Sequence, residues 1–231
     1  MRSSSLQIPS RARVLGLFAK WPARGTVKTR LAGDDAGWGV RVAHAFLLDT
    51  LQRLAVVDAY RVLAFAPIER EADFAAVASS RFHLTPQGEG DLGQRLSGFV
   101  EKHLQAGART VVVVGTDSPT LPVEYIERAF TELENADVAL GPATDGGYYL
   151  VGCGAEHPPL FENISWSSGR VLAETVATLA DPHWRLSVLP PWYDVDTPDD
   201  WTMLRGHLAA LRRASVDPGV PHTEALLGAT L

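Results

Sequence analysis

Four consecutive valines, Val111 to Val114, followed by Gly115-Thr116-Asp117-Ser118-Pro119, constrain this chain more than any other stretch. A β-branched run with no polar alternation reads as a strand buried on both faces, as in a parallel sheet. Such a strand should not end in an unpaired acid, because burying a lone carboxylate is costly. In open α/β sheets, ligands bind outside the carboxyl ends of the strands. Asp117 is therefore either a helix cap for the segment that follows or a group facing a ligand.

The rest of the chain agrees with a parallel sheet, because strand-like and helix-like patterns alternate along it. Strands are expected at 13–19, 60–65, 81–85, 110–115, 137–141, 147–152 and 184–189. Helices are expected at 36–57, 69–79, 91–106, 122–135, 169–180 and 198–213, with Pro122 and Pro198 in first turns. On the 36–57 helix, Val40, His44, Leu47, Leu51 and Leu54 form one stripe. The sum is a doubly wound α/β pattern. We read one domain over 13–213 with terminal segments 1–12 and 214–231. Pro218, Gly219 and Pro221 mark a tail expected to be loosely held.

Composition excludes several classes. The chain is 46% hydrophobic and 21% charged, so it can bury a core. A net charge of −6 argues against general affinity for nucleic acid or anionic membranes. The single cysteine, Cys153, rules out an internal disulfide framework and a cysteine metal cluster, and reads as a small buried residue. No apolar stretch reaches the ~18 residues of a membrane span, and the start lacks a secretory h-region. A cytoplasmic enzyme or binding protein, with no nucleic-acid partner and no membrane insertion, is the expectation. Oligomeric state is not legible.

Five stretches carry candidate chemistry. Residues 19–31, AKWPARGTVKTRL, follow the first strand and place Arg24, Lys28 and Arg30 in a loop, with Lys20 just upstream. Cations and free backbone N–H groups after a strand suit a phosphate chain; a solvated basic loop is the plain alternative. Residues 87–96, QGEGDLGQRL, satisfy G-x-G-x-x-G through Gly88, Gly90 and Gly93, a dinucleotide-binding signature. Asp91 sits inside that motif, however, where it would cap the helix that a pyrophosphate should occupy, and Pro86 interrupts the strand before it. GTDSPTLP is the third stretch. In the fourth, GPATDGGYYLVG, Asp145-Gly146-Gly147 is a turn between two strands whose glycines could also admit a ligand to the backbone. In the fifth, WYDVDTPDDW, Thr197 is a plausible helix cap and Asp199 and Asp200 fall in the first turn. Asp194 and Asp196 have no such role; at spacing two on an extended segment they point the same way and suit a hard cation such as Mg2+.

A basic loop at one strand end and acids at others is the constellation of enzymes acting on nucleoside di- or triphosphates. Cations hold the phosphates and carboxylates hold a metal that bridges them. FAKWPARGTVKTRLA, DLGQRL, GTDSPTLP, LGPATDGGYYLVG, ISWSSGRVLAET and YDVDTPDDW occur in that order. Together they resemble the DUF2064, or glycosyltransferase-like, family of nucleotide-diphospho-sugar transferases, over roughly residues 13–205. The set is similar to the phospholactate guanylyltransferases and, more distantly, to molybdenum-cofactor nucleotidyltransferases. It departs from the family pattern at Trp21, where relatives often carry Pro or Ala.

The resemblance implies a single-domain GT-A-like, Rossmann-type three-layer sandwich with a mostly parallel mixed sheet. It implies a Mg2+- or Mn2+-dependent transferase that moves a group from a nucleotide sugar or NTP donor to a small-molecule acceptor. Lys28 and Arg30 would hold the phosphates, with Lys20, Gly25, Gly90, Asp91, Gly146 and Gly147 also facing the nucleotide. Asp117 would bind the metal, with Asp194 or Asp196 as its second acid. Asp145, with Gly146 and Gly147, would line the acceptor side as a base or binding group, and Lys28 and Asp117 would be catalytic. No chemical role follows for Trp166, Ser167 and Ser168. The wider superfamily contains both glycosyl and nucleotidyl transferases, so a nucleotidyltransferase releasing pyrophosphate is the alternative. An NAD(P)-linked oxidoreductase using the Gly88–Gly93 turn is the second.

Overall fold

The computed structural model describes residues 8–227. Its strands are β1 (Arg13–Lys20), β2 (Tyr60–Ala66), β3 (His83–Pro86), β4 (Thr110–Val114), β5 (Val138–Pro142), β6 (Tyr148–Cys153) and β7 (Leu186–Val188). Its helices are α1 (Thr29–Ala32), α2 (Ala36–Leu54), α3 (Glu71–Ala78), α4 (Leu92–Gln105), α5 (Val123–Glu132), α6 (Val171–Thr178), α7 (Pro198–Arg213) and α8 (Pro221–Leu227). One seven-stranded sheet runs in the order β3-β2-β1-β4-β6-β5-β7. Only β6 is antiparallel, pairing with β4 and β5, so the sheet is mixed but mostly parallel.

The valine run is the centre of this sheet and is buried on both faces. Val112 and Val114 pack with Ile126 and Phe130 of α5 and with Leu47 and Leu51 of α2. Val111 and Val113 pack on the other side with Leu96, Phe99 and Val100 of α4. Helices thus cover both faces, which a β-branched strand with no polar face requires. A third apolar cluster joins Phe46 of α2 to Trp201, Leu204 and Leu208 of α7.

Local signals placed most boundaries. Helix α7 spans 198–213 as expected, because Thr197 caps it in a reciprocal box with Asp200 and Pro198 takes the first turn. Helix α4 has the same device, Asp91 with Gln94. Three expectations change. Pro122 is the N-cap of α5, not a first-turn residue, and no side chain caps that helix, so Asp117 and Ser118 are free of the capping role. Pro86 does not interrupt β3; it is its last residue, on an edge strand where a missing N–H is tolerated. Residues 214–227 of the tail expected to be loose are docked; 228–231 lie outside the described residues. Val220 and Thr223 are fully buried, and Arg53 donates to the Pro218 carbonyl at 2.8 Å. Cys153 is buried as expected, and burial pushes its thiol up to about 12. No helix among the described residues is long and apolar enough to cross a membrane.

Candidate active site

The carboxyl ends of β1 and β4 open into a cleft of about 830 Å³. Its position follows from the topology: β1 and β4 are adjacent parallel strands whose following loops diverge, the arrangement that leaves a crevice in doubly wound sheets. Of the expected site residues, Lys20, Lys28, Arg30, Asp117, Asp145, Gly147, Asp194 and Asp196 line it. Gly25, Gly90, Asp91 and Gly146 do not, and neither does Arg24.

Lys28 is the pivot. It stands at the N-cap of the short helix α1 in a left-handed backbone conformation, φ 48°. This turn carries its side chain inward, where only 3% of it is exposed. The ammonium donates to an Asp117 carboxylate oxygen and, at 2.9 Å, to Asp196 Oδ1. Burial alone would lower its pKa, but the two carboxylates outweigh that and hold it above the ordinary value. Arg30 binds the other oxygen of Asp196 at 3.0 Å and is itself 66% exposed. Lys20 reaches the Thr26 carbonyl at 3.4 Å.

The acids come from separate loops held in register. The Val195 N–H donates to the Asp117 carbonyl at 2.9 Å, tying the two acid-bearing segments together. Ser118 Oγ donates to Asp194 Oδ1. Burial pushes the Asp194 carboxyl up to about 7; the Ser118 hydrogen bond works against this, and Asp117, Asp145 and Asp196 add to it by like-charge repulsion. Asp145 lies at the mouth of the β5–β6 turn and accepts the Gly147 N–H at 2.9 Å. Two acids two residues apart thus do face one cleft, though with different partners. No group of three or more His, Cys, Asp or Glu side chains among the described residues is arranged to hold a metal. Lys28 sits between Asp117 and Asp196 and bonds to both.

Two glycines of the G-x-G-x-x-G stretch, Gly90 and Gly93, are closely packed, while Gly88 has open space around it. A Cβ on Gly93 would stand 2.6 Å from the Phe161 carbonyl oxygen and 2.7 Å from Trp166 Nε1, and one on Gly90 would stand 2.2 Å from Gln94 Oε1. The close approaches that these glycines allow are to the protein itself. The helix N-terminus that a pyrophosphate would need is filled by the Asp91 carboxylate, which accepts the Gln94 N–H.

Sequence reasoning passed over Gln87, Arg95 and Tyr148, all of which line the cleft. Trp166, Ser167 and Ser168 also line it, so the stretch that had no assigned role forms one wall. Gln87 and Arg95 lie inside the QGEGDLGQRL segment, on either side of its glycines. Arg95 Nε donates to the Gly90 carbonyl at 2.9 Å.

Residues 47–168, more than half of the chain, match the profile of a family described as uncharacterized protein conserved in bacteria (DUF2064). A crystal structure from Desulfovibrio desulfuricans G20, of a protein provisionally assigned as a nucleotide-diphospho-sugar transferase, is 31% identical. The match covers 94% of this chain and 97% of that one, with a TM-score of 0.83. A cytidylyltransferase from Leptospira borgpetersenii serovar Hardjo-bovis (strain JB197) superposes with a TM-score of 0.57 at 11% identity, over 95% of each chain. The 4-diphosphocytidyl-2C-methyl-D-erythritol synthase from Anaerococcus prevotii DSM 20548 does so with 0.57 at 9% identity, over 85% of this chain and 96% of that one. At these identities the last two likenesses are of fold. No curated protein matches the chain.

Proposed function

This chain belongs to the DUF2064 family, and from that premise we propose that it is a metal-dependent transferase acting on a nucleotide-activated donor. The donor is a nucleotide sugar, and the acceptor a small molecule. One observation carries the reading. Asp117, Asp145, Asp194 and Asp196 meet Lys20, Lys28 and Arg30 in a single cleft at the carboxyl edge of the sheet. Likeness to the D. desulfuricans protein supports the choice of donor.

In this reading Arg30 and Lys20 take the donor phosphates as exposed or half-exposed cations. Lys28 is the exchangeable charge. Its ammonium neutralises Asp117 and Asp196 when the cleft holds no ligand, and turns to phosphate when it does. The donor set fits a hard divalent cation: Asp117 is half exposed and Asp194 is a crowded carboxyl with no cation bonded to it among the described residues. Mg2+ uses one or two carboxylates plus substrate phosphates, so a cluster of three protein ligands is not required. Asp117 and Asp194 would hold it, and when bound it supplies charge neutralisation on the phosphates. Asp145, in the β5–β6 turn that lines the cleft, faces the acceptor and takes the proton of an attacking hydroxyl. Catalysis rests on positioning and charge neutralisation.

The NAD(P) oxidoreductase alternative loses support from the packing roles of Gly90 and Gly93. A thermal-shift panel of the four NTPs, common nucleotide sugars and NAD(P), each with and without Mg2+, tests the reading. Ligand at about a hundred times its Kd adds about 2.7 kcal/mol, or roughly 5–10 °C in a domain of this size. A metal-dependent shift with a nucleotide sugar, and release of a nucleoside diphosphate on adding acceptors, is expected. Release of pyrophosphate from an NTP would redirect the reading to nucleotidyl transfer. A shift with NAD(P) alone, indifferent to metal, would overturn it.

A further inference from the structure

The transferase reading gives Asp117 and Asp194 one metal to hold, yet the two acids stand on separate loops. The segment that carries Asp194 is anchored by its backbone on either side. The Trp192 N–H donates to the Pro142 carbonyl at 3.0 Å, and the Val195 N–H donates to the Asp117 carbonyl at 2.9 Å. Between those anchors no backbone hydrogen bond holds Tyr193 or Asp194 among the described residues. Side chains hold them instead. Ser118 donates to the Asp194 carboxylate. Tyr193 is 8% exposed and packs in the apolar cluster of Trp201 and Leu204, while Asp194 lines the cleft. Neighbours on an extended segment point to opposite sides, so the tyrosine is the root of the acid beside it.

The hydroxyl of Tyr193 is the polar end of that root. It lies 2.9 Å from Thr120 Oγ1 and 2.7 Å from His207 Nδ1. A hydroxyl both donates and accepts, so it satisfies two neighbours at once. Thr120 is 5% exposed and stands in the loop of Asp117, and His207 is on α7. One hydroxyl thus joins the loop of Asp117, the segment of Asp194 and the helix that follows them.

We propose that Tyr193 is a positioning residue whose hydroxyl, held between Thr120 and His207, sets the spacing of Asp117 and Asp194 and thereby the affinity of the nucleotide-loaded cleft for a divalent cation. The proposal rests on the transferase reading and adds to it the group that fixes the acids. The demand falls on the metal because Mg2+ requires near-ideal geometry from its ligands. Lysine and arginine contacts to phosphate are less exacting in distance. Loss of a group that orients metal ligands typically costs about 10–100-fold in metal affinity.

The same bonds also contribute to stability, so the test must separate positioning from folding. The probe is whichever of ATP, GTP, CTP, UTP and UDP-glucose the wild type binds most tightly. Its affinity would be measured by calorimetry in saturating Mg2+ and in EDTA, and the ratio of the two is the strengthening due to metal. Tyr193→Phe keeps the ring and removes the hydroxyl. We expect it to lose about tenfold or more of that strengthening, with affinity in EDTA within about twofold of wild type. Thr120→Val breaks the bridge from its other end and should do the same, which decides the matter if Tyr193→Phe fails to fold. Thr120→Ser keeps the hydroxyl and should retain the wild-type ratio. Asp49→Ala, which loses stability at another place, should retain it too. A wild-type ratio in Tyr193→Phe, however low its melting temperature, overturns the inference and leaves the transferase reading standing. An equal loss of the ratio in Asp49→Ala overturns it as well, since metal affinity would then merely follow stability. Wild-type protein that binds none of the probes, or binds them indifferently to Mg2+, overturns the transferase reading and this inference together.

Discussion

Two buried charges in this protein solve the same physical problem in opposite ways. Asp49, on α2, is completely buried. Its two oxygens accept the N–H groups of His222 and Thr223 at 3.0 and 2.8 Å, the first turn of α8. Lys28 is nearly as buried, with 3% of its side chain exposed, but its partners Asp117 and Asp196 are 51% and 29% exposed and line an open cleft. Asp49 is bonded to backbone amides that have no alternative partner, since the first turn of a helix leaves its donors orphaned. It is a permanent clasp. Lys28 is bonded to carboxylates that water, a cation or a phosphate can reach. Its bonds are exchangeable. A buried charge with buried partners serves stability, and a buried charge with exposed partners marks a site.

The comparison can be broken at several points. The largest effect is expected for Asp117→Asn, which keeps the shape of the cleft but removes a charge from it. Turnover of the nucleotide donor should fall by at least about a hundredfold while the melting temperature stays close to wild type. Steady-state kinetics beside a melting curve checks both, and an unfolded Asp117→Asn protein would place this acid with the clasps. Next is Asp49→Ala, which leaves two buried N–H groups unpaired at the start of α8. A loss of about 2–3 kcal/mol, or roughly 5–10 °C, is expected. The shift that nucleotide adds to the melting point should be preserved. Lys28→Met should show the reverse. It removes a desolvated ammonium whose partners can hydrate, so stability should move by only about 1 kcal/mol. Affinity for nucleotide, read by calorimetry, should drop about tenfold or more. A Lys28→Met protein less stable than Asp49→Ala would place Lys28 with the structural clasps.

The smallest effect concerns pH. Asp194 is pushed up from 3.8 to about 7, chiefly by burial. Between those values the folded chain holds a proton that the unfolded chain has released. Stability contributed by this group is therefore present at low pH and falls as pH rises through the window toward 7. Melting temperatures of wild type and Asp194→Asn, taken in chelator from pH 5 to 8, should diverge as pH rises, with the variant gaining relative stability. Parallel curves would show that the carboxyl is not shifted.

Much of the site was legible because its parts are strand ends. Asp117 after the valine run, Lys28 and Arg30 after β1, and Asp194 and Asp196 before a proline-started helix each stood out by local contrast. What joined them was not legible. Lys28 meets Asp117 and Asp196 across 89 and 168 residues of chain. The same is true of Asp49 and α8, which is why a tail rich in proline and glycine looked loose. Gln87 was missed for a different reason: its place is fixed by hydrogen bonds to the Ala19 and Ala64 carbonyls, which composition does not record.

The sequence by itself determined the order and approximate places of the strands and of the longer helices, since hydrophobic period, capping residues and proline act within a few residues of themselves; the short α1 and α8 it did not show. It also determined that acids and cations would lie at the carboxyl ends of strands, because that follows once a parallel sheet is accepted. Only the tertiary structure decided that β6 slots antiparallel between β4 and β5. It also decided that Trp166 packs on Gly93, and that one lysine bonds both Asp117 and Asp196. Those outcomes depend on contacts between distant segments, and such contacts form only when the whole sheet has brought its loops to one edge.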